Sequence, residues 1–157
     1  MPDPVVKSLT VPLDSDRAFR LFTEEMADWW PLNKHSMSAN TGETAQTVTV
    51  PKDLGAQVLE VKPDGTTTPW GRVTEFEPGK SFGMRWHVGR PEDQATHVRV
   101  TFDVVADGTK ITLIHDNWQV LGNEATAMRE NYQNGWDFVF MTCFGQLATA
   151  QKMPANA

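Results

Sequence analysis

The stretch over residues 122–152 constrains the fold more than any other part of the chain. It reads as one long helix over 123–151. Gly122 and Asn123 supply the N-cap, Glu124 suits the first turn, and Pro154 stands just beyond the end. At 100° per residue, Ala125, Tyr132, Trp136, Val139, Phe140, Cys143 and Leu147 fall on one face. A helix with that much apolar and aromatic surface must lie across another element, and the rest of the chain reads as strands. A sheet curled around one long aromatic helix leaves a space between them, and that space is where a function is expected to lie.

Upstream, residues 5–11 are a β-branched strand ended by Pro12. Asp14 or Ser15 caps a short helix over 17–23 that buries Ala18, Leu21 and Phe22. A further helical turn or two over 24–30 is stopped by Pro31. Residues 31–45 have no apolar period and many turn residues. A loop of that length in a compact domain is often functional. Strands are expected over 46–50, 56–61, 70–77, 81–88, 96–105 and 110–118, separated by Pro, Asp and Gly turns such as Asp107-Gly108. Short turns between consecutive strands imply an antiparallel meander. No repeat or linker divides the 157 residues, so one domain is expected, with 154–157 as a disordered tail.

Alternation assigns the faces. Phe82, Met84, Trp86 and Val88 share one, as do Val98, Val100, Phe102 and Val104. His87 and His97 fall on the solvated side. Ile111 and Leu113 carry His115 and Asn117 inward. Trp70, Arg72, Thr74 and Phe76 share a side, and Glu60 also turns to the interior. Arg129 lies in line with Trp136 on the helix. The expected cavity lining is therefore Trp30, Met84, Trp86, Phe102, Trp118, Tyr132, Trp136 and Phe140. The polar groups converging on it are Glu60, Arg72, His115, Asn117 and Arg129. An inward Glu60 requires Arg72, Arg129 or His115 beside it, because an unpaired buried charge is costly.

Composition excludes several functions. The net charge of -6 and the lack of a basic cluster argue against nucleic acid. No apolar run spans a bilayer, and MPDPVVKSLTV lacks the features of a signal peptide, so a cytoplasmic protein is expected. The single Cys143 forms no internal disulfide and reads as an inert buried thiol. The four histidines lack metal-ligand spacing, and no glycine pattern cradles a phosphate; neither metal nor cofactor is expected. Six tryptophans against one tyrosine fit both a core and a pocket. Phe138 and Met141 lie opposite Trp136 on the helix. They either pack under the early loop or form a homodimer patch.

DRAFRLFTEEMADWWPLNKHS at 16–36, WGRVTEFEPGKSFGMRW at 70–86, GTKITLIHDNW at 108–118 and NYQNGWDFVF at 131–140 together carry a resemblance. Their wording and order are similar to the bacterial family related to the C-terminal domain of the activator of heat-shock-protein-90 ATPase. That family sits within the START-related, birch-pollen-allergen-like superfamily. The resemblance implies an α+β helix-grip fold, a curved antiparallel sheet wrapped around one long C-terminal helix, with a cavity between them. It implies binding of small apolar molecules or a stress-related role, and includes cyclases and dehydratases among wider relatives. The expected function is thus binding of a small, largely apolar molecule. One alternative is a chaperone-activator-like interaction module. Another is a cyclase, lyase or hydrolase with His115 as general base and an Arg/Glu cluster beside it.

Overall fold

The computed structural model describes residues 2–151. The tail expected at 154–157 lies outside the described residues. Strand β1 (Val5–Val11) leads through Asp14, whose carboxylate accepts a hydrogen bond from the Arg17 amide at 2.7 Å, into α1 (Ser15–Phe22). This is the N-cap bond that Asp supplies at a helix start. Helix α1 buries Ala18, Phe19, Leu21 and Phe22, and the short α2 (Met26–Trp29) comes next. Strands β2 (Thr47–Thr49), β3 (Gln57–Val61), β4 (Thr67–Glu77), β5 (Ser81–Trp86), β6 (Thr96–Val105) and β7 (Gly108–Asp116) are joined by turns. All pairs are antiparallel, in the order β1-β7-β6-β5-β4-β3-β2. The expected meander is present, and β1 closes it on β7.

The sheet curls around the C-terminal helix. A 3-10 turn (Trp118–Glu124) leads into α3 (Ala125–Trp136), a π-helical segment (Asp137–Phe144) and α4 (Gly145–Ala150), which run on as one helical rod. The π segment changes which residues face the sheet. Its hydrogen bonds span five residues instead of four, which inserts one residue into the helical count. Downstream, the buried positions are Phe144 and Ala148, not the expected Cys143 and Leu147, which are half-buried. Burial pushes the Cys143 thiol up in pKa, away from reactivity. No helix among the described residues is long and apolar enough to cross a membrane.

Strand β4 departs from simple alternation twice. Its register shifts between Val58 and Leu59 on the β3 side and between Val73 and Glu75 on the β5 side. Each bulge gives β4 an extra residue and reverses the parity of the positions beyond it, bending the strand. Trp70, Gly71, Val73 and the half-buried Phe76 therefore face inward, while Arg72 and Thr74 face out. The expectation that Arg72 shares a face with Trp70 fails for this reason. Gly71 is required here: a Cβ would stand 1.7 Å from the Arg85 carbonyl oxygen. Two other facings are corrected. Val104 is 77% exposed because the β6–β7 hairpin runs past the core beyond Phe102. His87 is only 4% exposed, since the chain leaves β5 after Trp86 and folds its ring inward.

Candidate functional site

The interior divides along the helix. At one end Phe19, Phe22, Phe82, Phe102, Phe140 and Phe144 are buried against one another. Phe140 and Phe144 stack 5.7 Å apart, and Phe22 packs edge-on to Phe144 at 5.4 Å. At the other end the rings are indoles, and each has a hydrogen-bond partner. Trp30 donates to the His35 carbonyl (2.6 Å), Trp70 to the Glu60 carboxylate (2.9 Å) and Trp86 to the Tyr132 hydroxyl (2.8 Å). Trp118 donates to the His115 carbonyl (3.0 Å) and Trp136 to His115 Nδ1 (3.1 Å). A buried N–H needs such a partner, and satisfying all of these sets ring orientations that do not fill the space.

The space left is a cleft of about 330 Å³. Trp30, Trp70 and Trp86 form its wall, with centroids 4.9 to 5.9 Å apart. Residues Lys34, His35, Met37 and Asn40 of the 31–45 loop overhang it, Val88 and Gly89 bound one side, and Met128, Asn131, Tyr132 and Gly135 of α3 bound the other. A recess of about 40 Å³ continues inward to Trp136 and Val139. Among the described residues, no aspartate or glutamate lines the cleft.

The overhanging loop is fastened from below by Glu60, which is fully buried on β3. Its carboxylate accepts from the Met37 amide (2.8 Å), the Ser38 amide (2.8 Å), the Ser38 hydroxyl (2.6 Å) and Trp70 Nε1 (2.9 Å). Burial pushes its pKa up, but these four hydrogen bonds outweigh that and hold it below the usual carboxylate value. None of these partners is a cation. Ser36, also buried, donates to the Leu32 carbonyl at 2.7 Å and tightens the same loop.

The expected polar cluster does not form. Arg72 lies on the outer face, bonded to Glu92 (3.0 Å) and the Gly55 carbonyl (2.8 Å). Arg129 donates to the carbonyls of Asp3 (2.7 Å) and Pro4 (3.1 Å), outside the cavity. Asn117 leaves β7 in a left-handed conformation (φ 67°) and donates to the Ala95 carbonyl. His115 is fully buried behind Trp86 and Tyr132. Because Nδ1 accepts from Trp136, the ring proton sits on Nε2 and donates to Thr96 Oγ1 at 2.7 Å. Burial, with His97 nearby, lowers its pKa from 6.5 to about 3. Its one lone pair is occupied, so it is a neutral structural group and not the free general base expected.

Of the expected lining, Trp30, Trp86 and Tyr132 border the cleft and Trp136 borders the recess. Met84, Phe102 and Phe140 belong to the packed end, and Trp118 lies behind Tyr132 with ring centroids 5.7 Å apart. The loop residues, Trp70, Val88, Gly89, Met128, Asn131 and Gly135 were missed. The unusual length of the loop pointed to the first group. Met128 and Gly135 follow helical spacing with Tyr132, but a face centred on Trp136 leaves these two at its edge. Phe138 packs under the loop, 5.7 Å from the His35 ring and 5.3 Å from Lys34 Nζ, while Met141 borders an open groove with Leu9 and Gly145.

A curled antiparallel sheet gripping one long helix, with a cleft at one end, defines a helix-grip domain. The model of the family described as Activator of Hsp90 ATPase homolog 1-like protein matches residues 13–142. The chain belongs to that family. Comparison with curated protein sequences finds no match. Among solved structures, the chain is similar to an AHSA1-like protein of Aeromonas hydrophila (TM-score 0.67, 14% identity, covering 98% of this chain and 96% of that one). It is also similar to a protein of Mesorhizobium loti (TM-score 0.66, 14% identity, 96% and 100% covered). A third likeness is to the anthrahydroquino-gamma-pyrone synthase Txn09 (TM-score 0.61, 24% identity, 94% and 99% covered). At these identities the likeness is one of fold.

Proposed function

We propose that the protein binds a small, largely apolar, planar molecule in the cleft between the loop over 31–45, the indole wall and α3. The observation that carries this reading is the wall of Trp30, Trp70 and Trp86 beside about 330 Å³ of space in an otherwise tightly packed interior. Rings held in place by their own N–H bonds offer flat apolar faces at little entropic cost to a ligand. Gly135 supports the reading from the opposite side: a Cβ there meets nothing within 4 Å, although the residue borders both cleft and recess. An alanine at that helical position would favour the helix by about 1 kcal/mol, so the helix itself has no need of glycine.

The test is a titration with naphthalene and 2-naphthol as probes. Either should quench tryptophan fluorescence saturably and raise the melting temperature. Gly135→Leu, which places a side chain in the cleft, should abolish both effects while the protein remains folded. Failure of both probes to bind the wild-type protein, or unchanged binding by Gly135→Leu, overturns the reading.

The family description favours a second reading, a chaperone-activator-like interaction. It requires a change in chaperone ATPase rate on adding this protein, and that change should survive Gly135→Leu. The resemblance to a synthase of similar fold raises turnover as a third outcome. His115→Ala is no test of it, because His115 has no free lone pair to offer a substrate.

A further inference from the structure

The lining of the cleft changes character from its inner end to its mouth. The recess at the inner end is walled chiefly by Trp30, Trp86, Trp136 and Val139, all buried, and each of these indole N–H groups is already bonded to a protein acceptor. Ring faces, not polar atoms, are what these residues leave for a ligand. At the mouth the lining side chains Lys34, Asn40 and Asn131 are exposed and polar. The Asn40 amide makes one weak contact, to Met37 Sδ at 3.8 Å, and the Asn131 side chain makes no hydrogen bond among the described residues. Donor groups thus collect at the mouth without strong acceptors of their own.

Lys34 is the one charged residue lining the cleft among the described residues, in a protein whose net charge is -6. It joins no ion pair among the described residues. Its ammonium rests 5.3 Å from the centre of the Phe138 ring, one helical turn past Gly135. Phe138 in turn lies 5.7 Å from the His35 ring, which borders both cleft and recess. Burial first, and the Lys34 charge second, lower the His35 pKa from 6.5, so the imidazole is neutral at neutral pH and Lys34 carries the charge. A cation–π contact at an exposed ring is weak, and the flexible stem of Lys34 can carry its ammonium to an anion at the mouth.

We infer that the cleft takes a planar amphiphilic anion, its apolar end inward against the recess and its carboxylate at the mouth on Lys34. The inference rests on the cleft being the ligand site and adds the chemical class and the orientation. A carboxylate fits the donor set, because it accepts from an ammonium and an amide at once. A cationic ligand would meet Lys34 with like charge and find no carboxylate among the described lining residues. A neutral ligand of the same outline forgoes the ion pair, which at a partly solvated mouth is a factor of about five in affinity.

The experiment measures 2-naphthoate against 2-naphthamide, which has nearly the same outline without the charge, at about pH 7.5 and low salt, where the acid is ionised and lysine protonated. In the wild type 2-naphthoate should bind about five-fold tighter. That ratio should fall toward one in Lys34→Met, whose exposed position leaves the fold intact. It should also shrink in about 1 M sodium chloride, where screening acts within about 3 Å. Equal binding of the two probes to wild type overturns the inference and leaves the cleft reading intact. A preference that survives Lys34→Met, or that stays constant across the salt change, overturns it as well. Binding of 2-naphthoate that is unchanged by Gly135→Leu lies outside the cleft and overturns it too. When neither these probes nor naphthalene binds, the cleft reading falls and the inference falls with it.

Discussion

The two ends of the sheet–helix interface use aromatic rings to opposite effect. At the phenylalanine end all the rings but one carry no polar atom and take whichever packing fills space; the exception, Trp29, donates to the Leu21 carbonyl at 2.9 Å and packs on Phe22 and Phe144. Phe19, Phe22, Phe140 and Phe144 are 2% exposed or less. At the tryptophan end each indole must also find an acceptor for its N–H, and that second demand fixes the ring. The result is a wall that is buried yet borders a cleft of about 330 Å³. Similar apolar area therefore gives a sealed core in one place and a receptive surface in the other. The difference is that rings with a hydrogen-bond donor predominate at the open end and rings without one at the packed end.

The contrast can be broken most forcefully at the packed end. Phe144→Ala should cost about 3–5 kcal/mol in urea unfolding, the range for emptying a filled aromatic site. Probe affinity in the folded fraction should be unchanged. A large loss of affinity would show that the two ends are not separable.

Glu60→Gln tests the loop at the open end. The amide puts a second donor against the Met37 and Ser38 N–H groups, and the expected cost is about 2–3 kcal/mol for buried groups left unpaired. Hydrogen exchange should rise at the Met37 and Ser38 amides and not in β6. Uniform acceleration across the sheet would mean that Glu60 supports the whole fold and not the overhang.

The pH dependence has a definite sign. The folded-state pKa of His115, about 3, lies below its ordinary 6.5, so the unfolded chain binds the proton first. Stability is fully present above pH 6.5 and falls by about 1.4 kcal/mol per pH unit toward pH 3. Glu60, whose pKa is also lowered in the fold, adds a further loss only as pH drops below its ordinary 4.5. Flat stability between pH 6.5 and 4.5 would show that His115 is not held neutral by its Trp136 and Thr96 bonds.

The smallest effect is expected at Arg72→Ala. Its partner Glu92 is a surface group, and no measurable change in melting temperature or probe binding should result. A drop in affinity would return Arg72 to the cleft and overturn the β4 register.

Much of the fold is legible in local signals. Asp14, Pro31 and Asp107-Gly108 mark element ends because capping and turn chemistry act over a few residues. The aromatic spacing of 125–147 identifies a helix that must be covered. The candidate site is legible only in part. Trp86 and Tyr132 were reachable from periodicity and Trp30 from its place at a helix end before Pro31, but the polar groups assigned to them were not. Strict alternation does not persist through β4, and the helix does not keep 3.6 residues per turn to its end. Two bulges and a π segment each insert a residue, and each insertion shifts every facing beyond it.

By itself the amino-acid order determined the element sequence, the meander, the long helix and the need for an interior between them. These arise from interactions between near neighbours. Only the tertiary structure decided which side chains border the space, because bulges and the π segment form to satisfy packing across distant strands. It also decided that Glu60 would be satisfied by loop amides instead of an arginine, and that His115 would be spent on Trp136 while His87 Nε2 is left without a partner among the described residues. A buried polar group takes whichever partner the folded chain brings within reach. That choice is made between residues far apart in sequence.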